Sequence, residues 1–484
     1  MATQNQAGRR RSVAIATAIA LGASLAIVPG VGASSGSYPC RVKNVSTGAT
    51  YGSSSSAGDL QLAIDEAGQG QTLQVSGVCY GGFEISEDLT IIGGTLDGSG
   101  TERVLYVGAD IEPGFYSDVD VTLRKVTIRN GHVDTDPDEF DDFYEDSGAG
   151  IYVDDDADLR LIDVTVTGNE SSGDGAGIHV DGDDTNVDVA PQAGLADTSL
   201  VMVGGKVTNN VSGDDGGGIG ASDDVVDIDI TKTRFSGNRA DDDGGAISLE
   251  DDSTLKLSSV YIENNQAADD GGAIELDDNS TLLIFSSKIQ KNRANGASGD
   301  GGAIYVDEDN FIRIWGSTTI AYNVAIRDGG GIRAESSEVI LEGRTTVRKN
   351  SADDDGGGVD IDSGDRLVLN DQARIEYNSS GDDGGGVHLD GCDVLFQMNG
   401  LSVVRNNTAG IHGGGVYAAN GAVLVNVTPV NVFANTPDNV YSPAGRGSPS
   451  PTRGADDAGP GGDARPRVIL RGGLAAPGSG TIGR

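Results

Sequence analysis

Self-similarity constrains this chain more than any local propensity does. A Gly- or Ala-rich turn followed by Ile or Val recurs with its apolar residue at Ile151, Ile178, Ile219, Ile247, Ile274, Ile304, Ile332, Val359, Val387 and Val416. The intervals are 27, 41, 28, 27, 30, 28, 27, 28 and 29, so one period near 28 explains nearly all of them, and the 41 carries an insertion around Asp183 to Asp197. A second marker runs in phase: the pattern apolar-x-x-Asn recurs at Asn169, Asn210, Asn238, Asn265, Asn292, Asn323, Asn350, Asn378, Asn407 and Asn435. A unit this small cannot bury an apolar face alone and must stack on copies of itself.

Inside the repeat that starts at Ile247 the apolar residues alternate in three short runs: Ile247 and Leu249, Leu255 and Leu257, Val260 and Ile262. Period two is the periodicity of strands. Coils of three strands stacked at about 4.8 Å form three parallel sheets around a continuous core. The predicted fold is therefore all-β, a single-stranded right-handed parallel β-helix with three strands and about 28 residues per coil, the hand following from the usual chirality of parallel crossovers. Two residues after each turn Ile/Val the column reads Val153, Val180, Ala221, Leu249, Leu276, Val306, Ala334, Ile361, Leu389 and Ala418, apolar throughout as stacking requires. The asparagines then read as an internal amide ladder that satisfies turn backbone.

Four regions follow along the chain. Residues 1–33 read as an export signal, with Arg9, Arg10 and Arg11 before an apolar run from Val13 to Val28 and a small-residue site at Val31-Gly32-Ala33. Residues 34–131 are an N-terminal cap and opening coils, in which Leu60, Ala63, Ile64 and Ala67 have helical spacing suited to closing the open end of the core. The repeat domain is 132–440, and 441–484 is a Pro- and Gly-rich tail expected to be disordered. Cys40 and Cys79 could bridge in an oxidising compartment, leaving Cys392 without a partner.

Gly244-Gly245-Ala246-Ile247, Gly271 to Ile274, Gly301 to Ile304 and Phe235-x-x-Asn238 resemble the repeats of polymorphic outer membrane proteins, over roughly Gly148 to Asn435. That resemblance implies a β-helical adhesin passenger. The segment Leu60 to Gly131 resembles the opening coils of pectate-lyase-like β-helix proteins, a fold that also carries polysaccharide lyases and glycosidases. The 49 residues after Asn435 fall far short of the many strands of a membrane barrel, so no transmembrane anchor is expected.

Charge narrows the partners. With 33 Lys+Arg against 74 Asp+Glu the formal net charge is −41, which repels phosphate backbones, so no nucleic acid is expected. The acids are 58 Asp to 16 Glu, consistent either with repeated turn chemistry, since Asp bonds nearby backbone N–H groups, or with a surface adapted to high salt. The expectation is a secreted or surface-associated, non-enzymatic protein that binds an extracellular glycan or cell-surface component or serves structurally. The alternative is a lyase or glycoside hydrolase on the same scaffold.

Three sets of side chains could carry chemistry. One residue after the turn Ile/Val, five consecutive coils present Glu275, Tyr305, Arg333, Asp360 and His388, an outward column that could supply an acid, a base and a carboxylate clamp. On another outward strand Leu283 and Phe285 match Arg313 and Trp315 at the same offsets, a patch suited to sugar-ring or peptide recognition. Four residues before the turn Ile/Val stand Asp174, Asp215, Asp243, Asp270, Asp300, Asp328, Asp355 and Asp383. Stacked like charges about 5 Å apart cost roughly 1 kcal/mol per neighbour pair in water. Turn N–H groups, raised pKa values or bridging Ca²⁺ could offset that cost. No cofactor is required, and Ca²⁺ is the ion this column could take. The alternating Asp between His132 and Asp146 lacks the Gly and closing Glu of a helix-loop-helix calcium site and reads as an acidic loop.

Overall fold

The structure is a computed structural model that describes residues 39–52, 59–108, 119–134, 146–154, 157–182, 198–222, 226–250, 252–362, 364–391, 394–419 and 421–443. Met1–Ser37 and Tyr38–Arg484 form separate units, and the first lies outside the described residues together with the expected export signal. The acidic loop at 135–145, the insertion at 183–197, Cys392 and the tail from 444 onward also lie outside them.

Strands of successive coils pair in parallel and in unbroken register, for example Ile247 with Ile274 and Ile274 with Ile304. The coils wind as a parallel β-solenoid whose long sheet has 15 strands and whose two others have 13 each among the described residues. These are the three expected sheets. A fourth, narrow ladder of nine strands joins them, built from two-residue segments such as Arg239–Ala240, Gln266–Ala267 and Arg293–Ala294. From Glu170–Ser171 onward each such segment turns one small residue inward, Ala or Ser (Ser171, Ala240, Ala267, Ala294), too short a run to show alternation.

The turn glycines draw the wall tight at the end of this ladder. A β-carbon on Gly272 would lie 2.4 Å from the carbonyl carbon of Arg293, so the turn approaches the next coil as closely as only glycine allows. Inside, the apolar columns form one continuous core in which Ile247, Leu249, Leu255 and Ile262 are fully buried. The helix Leu60–Asp65, capped by Asp59 accepting from the Leu62 N–H, lays Leu60, Ala63 and Ile64 over the N-terminal end, as their spacing predicts. Beside it Arg41–Asn44 runs antiparallel to Gln71–Ser76, and Cys40 is bonded to Cys79. Closing that 39-residue separation restricts the unfolded chain by about 4 kcal/mol on the loop-entropy account. Among the described residues no helix is long and apolar enough to cross a membrane.

The asparagine ladder forms as expected. From Asn210 onward each side-chain oxygen accepts from both the backbone N–H and the amide of the preceding coil's asparagine, as Asn292 does from Asn265 at 3.0 Å in each case, while Asn169 accepts from the Gly131 N–H. Asn292→Ala therefore leaves two buried donors of Asn265 without an acceptor and should lower unfolding stability by about 2 kcal/mol. Urea denaturation measures this, and a loss indistinguishable from zero would remove the ladder from the account of stability.

Candidate functional site

Strand register assembles the column after the turn Ile/Val into one continuous row: Glu84, Tyr106, Tyr152, His179, Gly220, Ser248, Glu275, Tyr305, Arg333, Asp360, His388, Tyr417 and Tyr441. The side chains point away from the core, yet the row is not the open surface that outward strand positions suggest. Glu275, Arg333, Asp360 and His388 are all buried and Tyr305 is half-buried. The cause is the turn that precedes each strand, which folds back over the row. A β-carbon on Gly271 would lie 2.8 Å from Cβ of Glu275, and one on Gly329 would lie 2.7 Å from Cβ of Arg333. Gly271 can make that fold-back because its φ of 58° lies in the left-handed region.

Covered this way, the polar groups of the row bond to one another. Ser248 donates to Glu275 at 2.6 Å, and burial, reinforced by the charges of Asp277, Asp215 and Asp243, pushes the Glu275 carboxyl well above the usual range, toward a neutral acid. Arg333 donates to Asp360, to Glu335 at 2.8 Å and to Asp362 at 3.1 Å. His388 Nδ1 lies 2.6 Å from the other Asp360 oxygen. Burial opposes ionisation of Asp360, but Arg333 and His388 outweigh it and hold its carboxyl below the ordinary value. Burial likewise opposes protonation of His388, and the bond to Asp360 wins, raising it to about 9. The result is a buried chain of alternating charge: Arg333 cation, Asp360 anion, His388 cation.

Aromatic rings extend the row in both directions. His388 stacks on Tyr417 at 4.9 Å and Tyr417 on Tyr441 at 5.7 Å. Toward the other end Tyr106, Tyr152 and His179 stack at 5.7 and 5.2 Å, and Tyr152 donates to Asp181 at 2.5 Å. Burial keeps His179 neutral, its pKa lowered to about 3. An open depression of about 540 Å³ lies where the row begins, lined by Gln61, Asp65, Gly82, Phe83, Glu84, Arg103 and Tyr106. It joins residues of the cap helix to the opening coils, a juxtaposition that the repeat pattern does not reveal.

The aspartate column flanks this row. Asp174, Asp215, Asp243, Asp270, Asp300, Asp328, Asp355 and Asp383 each accept the backbone N–H of the corresponding residue in the following coil at 2.5 to 2.9 Å, the last from His412. Turn N–H groups thus carry part of the repulsion. Burial carries another part by favouring the neutral form, with Asp215 and Asp270 raised to about 8 and Asp174, Asp243, Asp300 and Asp355 to about 6. Carboxylate oxygens of Asp174, Asp214 and Asp215 come within 4.8 Å of one another, and a cation held here would meet only the hard oxygen donors that Ca²⁺ takes.

The expected aromatic patch is assembled by register, Phe285 beside Trp315 and Leu283 beside Arg313. The two rings lie 5.6 Å apart at 43°, Phe285 is 40% exposed, and Leu283 and Trp315 are half-buried. Arg313 lies 5.3 Å over the Trp315 ring and is held there by Glu342 at 2.7 Å.

Residues 117–338 match the family model described as the right-handed beta helix region, which agrees with the wound sheets above. No curated protein and no solved structure matches the chain. The fold of the described coils is thus a right-handed parallel β-solenoid.

Proposed function

We propose that this β-helix is a non-catalytic, exported protein that binds an extracellular glycan or cell-surface component. The observation that carries this reading is the internal pairing of the polar row: Glu275 with Ser248, Arg333 with Asp360, Asp360 with His388, all under the folded-back turns. A lyase or glycoside hydrolase needs its acid and base within hydrogen-bond reach of a substrate. Here those groups reach each other, and the row acts as a polar seam that fixes coil register. Export is supported by the Cys40–Cys79 bond, a cross-link that persists in oxidising compartments.

Phe285 and Trp315 are the recognition surface in this reading, a partly exposed aromatic pair with a fixed cation over one ring. Replacing both by Ala should leave the melting curve within a few degrees of wild type and reduce retention on the glycans the protein binds. Retention undiminished by the double substitution contradicts the assignment of this patch.

Calcium enters as a supplementary ion. Millimolar Ca²⁺ should raise the melting temperature at about pH 8.5, above the raised carboxyls of Asp215 and Asp270, and leave it unchanged near pH 5, where protons on these two relieve the repulsion. A melting curve at about pH 8.5 indifferent to both Ca²⁺ and EDTA removes the ion.

A further inference from the structure

The residue immediately before each ladder asparagine has positive φ, as at Asn209 (56°), Gly237 (69°), Asn264 (57°) and Asn406 (55°). Gly and Asn suit that left-handed conformation, whereas bulky side chains are disfavoured in it. Four consecutive coils nevertheless place Lys291 (58°), Tyr322 (62°), Lys349 (55°) and Tyr377 (60°) there. Core packing does not account for them, because all four side chains are exposed, Tyr322 at 43% and Tyr377 at 51%.

Their surroundings invert the character of the molecule. Arg293, Arg348 and Arg374 lie on the adjoining strands of the same coils, and neither they nor Lys291 form an ion pair with any described residue. A chain of net charge −41 thus presents a local strip of cations that have no ion-pair partner among the described residues, interleaved with tyrosines, and Glu376, the one acid beside Arg348 in the register, is bonded to Arg405. Lys349 Nζ sits 3.0 Å from the Tyr322 hydroxyl and 5.1 Å from its ring centre, so the two side chains order each other. Lys and Tyr alternate, so like groups recur every second coil, at about 10 Å. That spacing is close to the disaccharide repeat of an extended polysaccharide.

We propose that this strip, Lys291, Tyr322, Lys349 and Tyr377 with the adjoining arginines, binds a linear anionic polysaccharide, its carboxylates or sulfates on the cations and its sugar rings on the tyrosines. The proposal rests on the glycan-binding reading above but on different residues. A second copy of the chain is a poorer occupant, since its aspartate column is already committed to backbone N–H groups and half-buried.

The test is titration calorimetry of the full chain with an oligogalacturonate, a chondroitin sulfate oligosaccharide, neutral dextran and polyglutamate. At least one of the two anionic glycans should bind, and more weakly as salt rises. Lys291→Gly with Lys349→Gly should weaken that binding about tenfold or more. Tyr322→Gly with Tyr377→Gly should weaken it several-fold while the melting temperature stays or rises, because Gly168 and Gly237 already serve at this position in other coils. Equal binding of polyglutamate, salt-sensitive self-association in place of glycan binding, or glycine variants that bind as wild type each overturn the proposal. So does collapse of the melting temperature in the glycine variants, which would make the strip structural. Anionic glycan binding lost only in the Phe285/Trp315 double variant overturns this strip and upholds the general reading; absence of binding to any glycan overturns both.

Discussion

The melting temperature should rise by roughly ten degrees as the pH falls from about 8.5 to about 5. The carboxyls of Asp215, Asp270 and Asp365 are raised to about 8 and those of Asp174, Asp243, Asp300 and Asp355 to about 6, in each case chiefly by burial. In the unfolded chain they revert to ordinary values near 4. Between those limits the folded protein binds protons that the unfolded chain does not, so the stability these groups contribute is complete at low pH and is lost as pH rises through 6 to 8. His388, raised to about 9, acts in the same direction and loses its contribution as pH rises through that value. Two groups oppose the trend. His179, lowered to about 3, is best left neutral and loses stability below its unfolded value, and Asp360 loses its contribution below the ordinary carboxylate range. Stability should therefore peak near pH 5 and fall on both sides. Reduced for the solvent screening of these partly exposed carboxyls, their combined contribution amounts to about 5 kcal/mol. Calorimetric scans across this range at constant ionic strength measure the effect, and a stability maximum above about pH 8 contradicts the burial of the column.

Arg333→Ala should cost about 3 to 5 kcal/mol of unfolding stability, because it leaves the buried Asp360 carboxylate with His388 alone. Removing both charges together, as Arg333→Ala with Asp360→Asn, should recover much of that loss. The recovery separates a buried pair from two independently useful residues, since a double-mutant cycle isolates their coupling. Additive losses in guanidinium denaturation would mean that the two do not act through each other.

How much of this was legible in the sequence differs from element to element, for physical reasons. The sheets and the asparagine ladder were legible because stacking forces one side-chain type into each column, and Phe285 meets Trp315 because the offset within the coil is constant. The cap helix was legible from the spacing of Leu60, Ala63 and Ile64. The fourth ladder was not, since one small inward residue per coil, Ala or Ser, carries no period. The cover over Glu275 and Arg333 was not legible either. Strand alternation correctly turns those side chains away from the core, and only the backward fold of turns such as Gly271 closes over them. The left-handed column did leave a trace, in the Gly168-Asn169 and Gly237-Asn238 pairs, but the tyrosines and lysines that share its backbone conformation hide it in the later coils.

We propose that the row through Glu275, Arg333, Asp360 and His388 holds the coils together and turns over no substrate. Release of reducing ends and of unsaturated uronates from a polysaccharide panel tests it most directly, with wild type and a folded Asp360→Asn variant assayed side by side. No product is expected from either protein, with the variant differing only in its melting curve. Product formed by wild type and lost in the folded variant would contradict it and make the row an active site.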